Sequence, residues 1–404
     1  MNLLAKRRIY KFLNRWWCLA VFLLSMHVSL LTSKAEGLRN PPPGAFGISR
    51  AGAKIVHVED PTAVFINPAN IVDIKNTSVL IAPMVVYVRK EFNAPDGRSE
   101  KTTDPWKWLG SVFVTHPLKD GQVMIGMGIS EPFGQSIIYD EDNFSFKYIT
   151  PYSSELDLIN LNPTIAMKVG DTIQLGVGVD VVWSEIELKQ HYPWFNVTGV
   201  AGTPDGSADS KGDGYGLGWN AGVTWLMTDR QALSATIRSS YKIDYDGDFR
   251  ISNIPGPIPG VAPRSDFHTE IEYPTIASLG YGVNINDTFS LGIDVEWLEW
   301  STMDRVIIDV NNNDVLFPTT TTTQNWKDTW TVGFGGDWKI SPTWTARGSY
   351  WFLEGPAPEQ TQIPILPESD QHALNGGLFF PRIIIAGIWH TRMSYLEIVL
   401  STTI

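Results

Sequence analysis

From Val79 onward, apolar and polar residues alternate with a period of two, the pattern of strands whose two faces meet different surroundings. Between 173 and 184, Ile173, Leu175, Val177, Val179, Val181 and Trp183 share one face, while Gln174, Gly176, Gly178, Asp180 and Ser184 share the other. Val182 breaks the pattern. Leu217, Trp219, Ala221, Val223 and Trp225 likewise oppose Gly216, Gly218, Asn220, Gly222 and Thr224. Phe289, Leu291, Ile293, Val295 and Trp297 oppose Ser290, Gly292, Asp294 and Glu296. The polar face is mostly Gly, Ser, Thr and Asn with occasional charges, and aromatics recur near strand ends. A soluble sandwich would bury the apolar face. This chemistry predicts an all-β, transmembrane antiparallel barrel with lipid outside, a polar lumen and aromatic girdles.

The connections keep a matching rhythm. Tight junctions at 119–121, 170–171, 228–230, 286–287 and 341–342 alternate with long segments at 93–105, 139–151, 191–212, 252–266, 311–325 and 353–368. Short periplasmic turns and long external loops are the habit of outer-membrane barrels. Twelve strands are read between 79 and 380. The tail 381–404 holds two more, at 383–390 and 393–402, for a total of about fourteen. These two alternate poorly, and the chain ends Ser401-Thr402-Thr403-Ile404 without the terminal aromatic that the barrel assembly machinery reads. A truncated or frame-shifted end would explain this; if the ending is real, closure is in doubt, since an open edge in lipid is very costly. Residues 36–77 do not alternate. Their stretch 45–58, between Pro41-Pro42-Pro43 and Glu59-Asp60-Pro61, reads as one or two helices. A mostly helical piece ahead of a barrel (78–404) is expected to be a plug, or hatch, inside its lumen.

Composition and charge narrow the setting. The chain has 404 residues, 12% of them aromatic and 18% charged, with a single cysteine, Cys18. It is too aromatic for a disordered chain and too poor in cysteine for a disulfide scaffold. Lys6, Arg7, Arg8, Lys11 and Arg15 precede an apolar run, 16–31, and then Ser33-Lys34-Ala35. That order predicts a secretory signal peptide over 1–35. Removing it leaves 25 basic and 43 acidic residues, a net charge of −18, in a cysteine-free chain. Such a balance argues against nucleic acid as a partner and points to a bacterial envelope; with the barrel pattern, the expected location is the bacterial cell outer membrane.

Several segments carry a specific resemblance. Asp60-Pro61-Thr62-Ala63-Val64-Phe65-Ile66-Asn67-Pro68-Ala69-Asn70 follows a Gly/Ala-rich stretch (Gly47, Ala51, Gly52, Ala53). Within it Asn67, Pro68 and Ala69 read locally as a helix cap followed by proline at the first position. Glu131-Pro132-Phe133-Gly134 interrupts the third strand. Tyr215-Gly216-Leu217-Gly218-Trp219-Asn220-Ala221-Gly222, the stretch 235–245, Trp326-Lys327-Asp328-Thr329-Trp330 and the stretch 365–372 fit as well. In combination, from about Gly37 to Phe380, the chain resembles the FadL/TodX family of outer-membrane transporters for hydrophobic compounds. The resemblance implies a fourteen-stranded barrel with an N-terminal hatch. Ligands, long-chain fatty acids or aromatic hydrocarbons, would be captured outside and released through a lateral opening at a kinked strand. A monomer in outer-membrane lipid is expected.

The residues support parts of this independently. Pro132 lacks a ladder N–H and Gly134 a side chain, so pairing around Pro132, Phe133 and Gly134 is expected to fail and leave a gap. Extending the alternation places Arg238, Lys242, Lys327 and Arg347 on the lumen as candidate partners for a ligand carboxylate. The bland alternative is pairing with Asp180, Asp244, Asp294, Glu296 and Asp337 on the same expected face. Glu185 and Glu187 make the chain acidic where a fatty-acid carrier is expected to be basic, which leaves neutral ligands open. No close histidine pair or Walker-type loop calls for a metal or cofactor. His372 shares a phase with Leu374 and Leu378 and reads as packed or interfacial rather than catalytic. A barrel enzyme such as a lipase, or a structural or adhesin barrel, is the rival reading.

Overall fold

The computed structural model describes residues 38–118, 121–258, 261–310 and 320–379, and the backbone of 380, 383–389 and 393–403. The expected signal peptide at 1–35 lies outside the described residues. Among those residues, fourteen wall strands follow one another. They are β1 (Ser78–Val88), β2 (Trp106–Leu118), β3 (Val123–Ser130 and Gln135–Ile138), β4 (Ser153–Val169), β5 (Ile173–Tyr192) and β6 (Gly206–Thr228). Next come β7 (Gln231–Arg238 and Tyr241–Ile251), β8 (Arg264–Tyr273 and Ile276–Asn286), β9 (Phe289–Leu298 and Arg305–Val310) and β10 (Thr320–Thr323 and Thr329–Ser341). The last four are β11 (Trp344–Leu353), β12 (Gln371–Phe380), β13 (Ile383–Trp389) and β14 (Met393–Thr403).

Each strand pairs antiparallel with the next, and β14 returns to β1 in a register running from Ser78↔Thr403 to Val88↔Met393. The circuit therefore closes, and the irregular tail supplies its last two strands. Closure satisfies the backbone without water. Among the described residues no helix is long and apolar enough to cross a membrane. The outward face of the strands carries Met127, Ile129, Leu161, Ile165, Val177, Val179, Leu217, Trp219, Ile293 and Phe334, all exposed. Their inward face buries Asn162, Thr164, Gln174, Asp180, Asn220 and Thr224. This is the inside-out polarity read from the alternation.

On β5 that polarity changes with height while the phase does not. Below, Gln174, Asp180 and the small residues between them face inward. From Val182 upward, Val182, Ile186 and Leu188 face inward, and Glu185 and Glu187 turn outward. Val182 thus marks the level at which the outward side chains change from apolar to charged and the inward ones from polar to apolar. The acidic pair lies outside the lumen, bound by Lys211 at 2.8 Å to Glu185 and by Lys189 at 2.7 Å to Glu187. It therefore does not oppose a carboxylate ligand inside the lumen.

The hatch fills the lower lumen. Helix α1 (Gly44–Ser49) sits beside β12, β13, β14 and β1, α2 (Ala63–Ile66) beside β3 and β4, and a 3₁₀ turn (Pro68–Asp73) beside β4, β5 and β6. The helix expected over 45–58 is shorter than the sequence suggested and stops at Ser49. Beyond it, the backbone N–H groups of Lys54 and Ile55 donate to the Asp294 carboxylate on β9 instead of continuing a helical ladder. Gly52 meets the backbone of Phe334 and Tyr350 so closely that a Cβ would fall 2.1 Å from the Tyr350 carbonyl. On the opposite side Gly176 makes room for the Pro68–Ala69 peptide, where a Cβ would fall 2.3 Å from the Pro68 carbonyl carbon. Apolar hatch residues, among them Phe46, Ile48, Val64 and Ile71, pack against Leu80, Met84, Phe113 and Met124 of the wall.

The Gly176 contact makes a sharp prediction. Gly176→Val should displace the 3₁₀ turn and destabilise the hatch by about 1–3 kcal/mol, the usual cost of overpacking. Larger ion conductance in planar bilayers is expected than for Val177→Ile on the lipid face. Equal conductance would show that the hatch does not rest on this contact.

Candidate functional site

The hatch and the wall meet through charge. Arg50 on the hatch donates to Asp337 of β10 at 2.7 Å. Lys54 pairs with Glu296 of β9, which also takes Arg39 at 3.1 Å. In the other direction, Arg347 of β11 reaches Glu59 on the hatch at 3.4 Å and lies over the Phe46 ring. Arg238 of β7 pairs with Asp180, donates to the Phe65 carbonyl at 3.0 Å and stacks over the Phe65 ring. Apart from Glu59, which is exposed, these groups are largely buried, and each buried charge is tolerable only because it has a partner.

Asn67 fixes the far end of the hatch. Its side-chain oxygen accepts from the Ala69 N–H, capping the 3₁₀ turn that Pro68 opens. Its amide donates to the Ile55 carbonyl at 2.8 Å and to Thr224 of β6 at 3.1 Å. Asn67, Pro68 and Ala69 therefore join two hatch segments to the wall. The cap read from the sequence is present, and its tertiary bonds were invisible there.

The second feature is a break in β3. Below it, β2 and β3 pair from Leu118↔Val123 up to Val112↔Ile129. Above it, Gln135–Ile138 pairs with β4 alone, and the upper end of β2 pairs with β1 alone among the described residues. The backbone groups freed at the break are taken up by the N-terminal end of the hatch. Asn40 donates to the Pro132 carbonyl at 3.0 Å, and Gly134 donates to the Leu38 carbonyl at 2.8 Å. Phe133 turns inward and packs against Tyr273, with ring centroids 5.0 Å apart, and against Trp300. Behind the gap lies a cavity of about 230 Å³ bounded by Arg39, Val86, Lys90, Lys107, Glu131, Phe133 and Leu158. A smaller cavity, about 60 Å³, lies on the other side of Phe133 and is lined by Lys54, Phe65, Arg238 and Glu296.

A family model described as "Outer membrane protein transport protein (OMPP1/FadL/TodX)" matches residues 32–380. The chain belongs to this family. A long-chain fatty acid transport protein of Escherichia coli O6:H1 is 22% identical over 366 residues, covering 83% of this chain and 77% of the relative. The 47 kDa outer membrane protein of Pasteurella multocida is 22% identical over 386 residues, covering 86% and 85%. Among solved structures, a Pseudomonas aeruginosa FadL homologue matches with a TM-score of 0.75 at 21% identity, over 90% of this chain and 98% of that one. The toluene transporter TbuX of Ralstonia pickettii matches with a TM-score of 0.67 at 17% identity, over 90% and 97%. The fold is shared, the protein belongs to the outer membrane, and the family is one of transport proteins rather than enzymes.

Within this FadL/TodX-family barrel the four cations named from the sequence divide. Arg238 and Arg347 face the lumen. Lys242 does not: β7 is broken at Ser239–Ser240 and the inward phase shifts there from Arg238 to Tyr241, which turns Lys242 outward to Glu270. Lys327 is also outside, in the break of β10, where Trp326 turns inward and Lys327 pairs with Glu354 at 2.7 Å. Asp244 follows Lys242 to the exterior, whereas Asp180, Asp294, Glu296 and Asp337 are buried inside. His372 keeps the outward phase of Leu374, its ring hydrogen-bonded to Tyr350 Oη at 2.7 Å. The cations missed from the sequence are Arg39, Arg50 and Lys54, because the hatch has no alternation to reveal a face.

Lys90, just beyond the end of β1, also escaped notice. It is buried beside the gap, 3.8 Å from Glu368. Burial pushes its ammonium below the ordinary lysine range, with Glu368 opposing.

Glu296 is where hatch and wall are most tightly joined. Glu296→Ala should cost about 3–5 kcal/mol because Lys54 and Arg39 lose their buried carboxylate. The expected readout is earlier proteolytic cleavage of the hatch in detergent, with part of the loss recovered by adding Lys54→Met. A single variant as resistant as the parent would refute this account of the lock.

Proposed function

We propose that this protein carries hydrophobic small molecules inward across the outer membrane by facilitated diffusion. The ligand meets apolar side chains of the external loops first. Phe195 and Val197 are exposed there in a short helix, α3 (Trp194–Thr198). It then passes the apolar cluster of the upper barrel formed by Ile186, Leu188, Tyr245, Phe249 and Phe267. Arg238 and Arg347, on the lumen side and tied to the hatch, are the remaining candidates among the four cations for contact with a ligand carboxylate. The ligand leaves sideways into the bilayer at Pro132, Phe133 and Gly134. Long-chain fatty acids and aromatic hydrocarbons are the ligand classes we propose, by analogy with relatives named for long-chain fatty acids and for toluene.

The observation that carries this reading is the break in β3 with a cavity directly behind it. A water-filled pore offers a greasy solute no gain, whereas a gap in the wall opens onto apolar surroundings. The division into a signal peptide (1–35), a hatch (36–77) and a barrel (78–404) belongs to the same proposal, as do a monomeric state, surrounding lipid and delivery by the barrel assembly machinery. No cofactor or energy coupling is part of it.

Replacing Glu131-Pro132-Phe133-Gly134 with Thr-Val-Thr-Val should let β2 and β3 pair through the break and seal the wall. Uptake of labelled ligand by cells expressing this variant should fall roughly tenfold or more, since the apolar exit is lost. Undiminished uptake, with the variant correctly inserted, would rule out the lateral route.

A further inference from the structure

The opening beside β3 has two chemically different sides. Val86 pairs with Lys107 across β1 and β2, and Val86 is buried in the lumen, so Lys107 and Leu109 belong to the inner side. Lys90 and Arg39 line the cavity there too. Each of these cations already has an acidic neighbour, but the Lys90 ammonium stands 3.8 Å from Glu368, beyond hydrogen-bond length. Val88, Leu109 and Leu158 provide an apolar lining next to it.

The outer rim carries the opposite sign. On β4, Leu156 and Leu158 point inward, so Glu155 and Asp157 take the outward phase, at the mouth of the same cavity that Lys90 and Arg39 line. Glu131 closes the lower edge and accepts the Gly110 N–H at 3.0 Å. Register reinforces the rim. Glu155 stands opposite Glu187 on β5, and Asp157 opposite Glu185. The cations on that side, Lys189 and Lys211, pair with Glu187 and Glu185, and neither Glu155 nor Asp157 has an ion pair among the described residues.

We propose that this opening selects by charge. The inner cations, Lys90 foremost, detain a carboxylate-bearing ligand, and the rim formed by Glu131, Glu155 and Asp157 opposes its exit, while a neutral ligand meets neither. The inference rests on the lateral route proposed above and adds a preference in the substrate class: neutral hydrocarbon-like molecules leave faster than ionised acids. Like charges in a partly desolvated gap repel strongly, and water screens them less there than on an open surface. A long-chain acid would therefore leave tail first, its headgroup held last at Lys90.

The test compares uptake of labelled oleic acid and labelled oleyl alcohol, which share a tail. The cells lack their own transporter for hydrophobic compounds and carry the wild-type chain, the triple variant Glu131→Gln/Glu155→Gln/Asp157→Asn, or Lys90→Gln. Glutamine keeps the acceptor for the Gly110 N–H. The acid-to-alcohol uptake ratio should rise roughly threefold or more in the rim variant. Lys90→Gln should raise the half-saturating concentration of the acid more than that of the alcohol. If both ligands enter and the ratio stays at the wild-type value in the rim variant, charge selection is wrong while the transport reading stands. If neither ligand enters faster than in cells without the chain, the transport reading falls and takes this inference with it. Uptake of the alcohol itself shows that each variant has folded and inserted.

Discussion

Buried charge at the boundary between hatch and wall is the constraint on which the rest of this structure depends. A strand that crosses lipid must close into a ring, and the ring encloses a lumen into which every second residue points. Among the described residues, the wall carboxylates Asp180, Asp294, Glu296 and Asp337 point there and are buried. Left alone in a dry interior they would be very costly. The hatch answers them with Arg39, Arg50, Lys54 and the N–H groups of Lys54 and Ile55. Arg238, paired with Asp180, and Arg347, 3.4 Å from Asp337, complete the exchange from the wall side. Charge complementarity of this kind sets position more than it adds stability. That suits a plug which must sit in one place inside a much larger ring.

The same logic couples the hatch to the opening. Breaking β3 frees backbone groups that cannot be abandoned away from water. Leu38 and Asn40 take them up, and Arg39 between them is bound to Glu296. The extreme end of the hatch thus pairs with the edge of the gap and is anchored by the carboxylate that holds Lys54. The cavity behind the gap and the cavity beside Arg238 share Arg39, Asn40, Pro41 and Phe133 as a partition. A change in the charge pairing at Glu296 would therefore be felt at the opening, through a continuous set of contacts.

Height along the barrel is a second organising variable. In the lower part the exterior is greasy and the interior polar; in the upper part charges turn outward and aromatics turn inward. β5 makes the change without losing phase, by switching residue types at Val182. β7 and β8 also shift their phase, at Ser239–Ser240 and Pro274–Thr275. The result is an apolar, aromatic upper core, in which Tyr273 touches both Tyr241 and Tyr245, above a polar, hatch-filled base.

Much of the fold was legible in the sequence because lipid imposes a strict rule on each strand separately. Alternation revealed the barrel, the faces of β5, β6 and β9, the inward placement of Arg238 and Arg347, and the interruption at Pro132. Asn67-Pro68 announced a capped turn. What the sequence could not show was anything that needed two distant segments at once. Lys242 and Lys327 were read inward because alternation was carried across breaks that only pairing with neighbouring strands creates. Arg39, Arg50 and Lys54 were passed over because the hatch is irregular and its face is chosen by the carboxylates it meets. The poorly alternating tail gave no sign that its backbone would complete the ring against β1. A period of two is a local property of one strand against its solvent; the partner of a buried charge is a property of the closed barrel, and only the tertiary structure decided it.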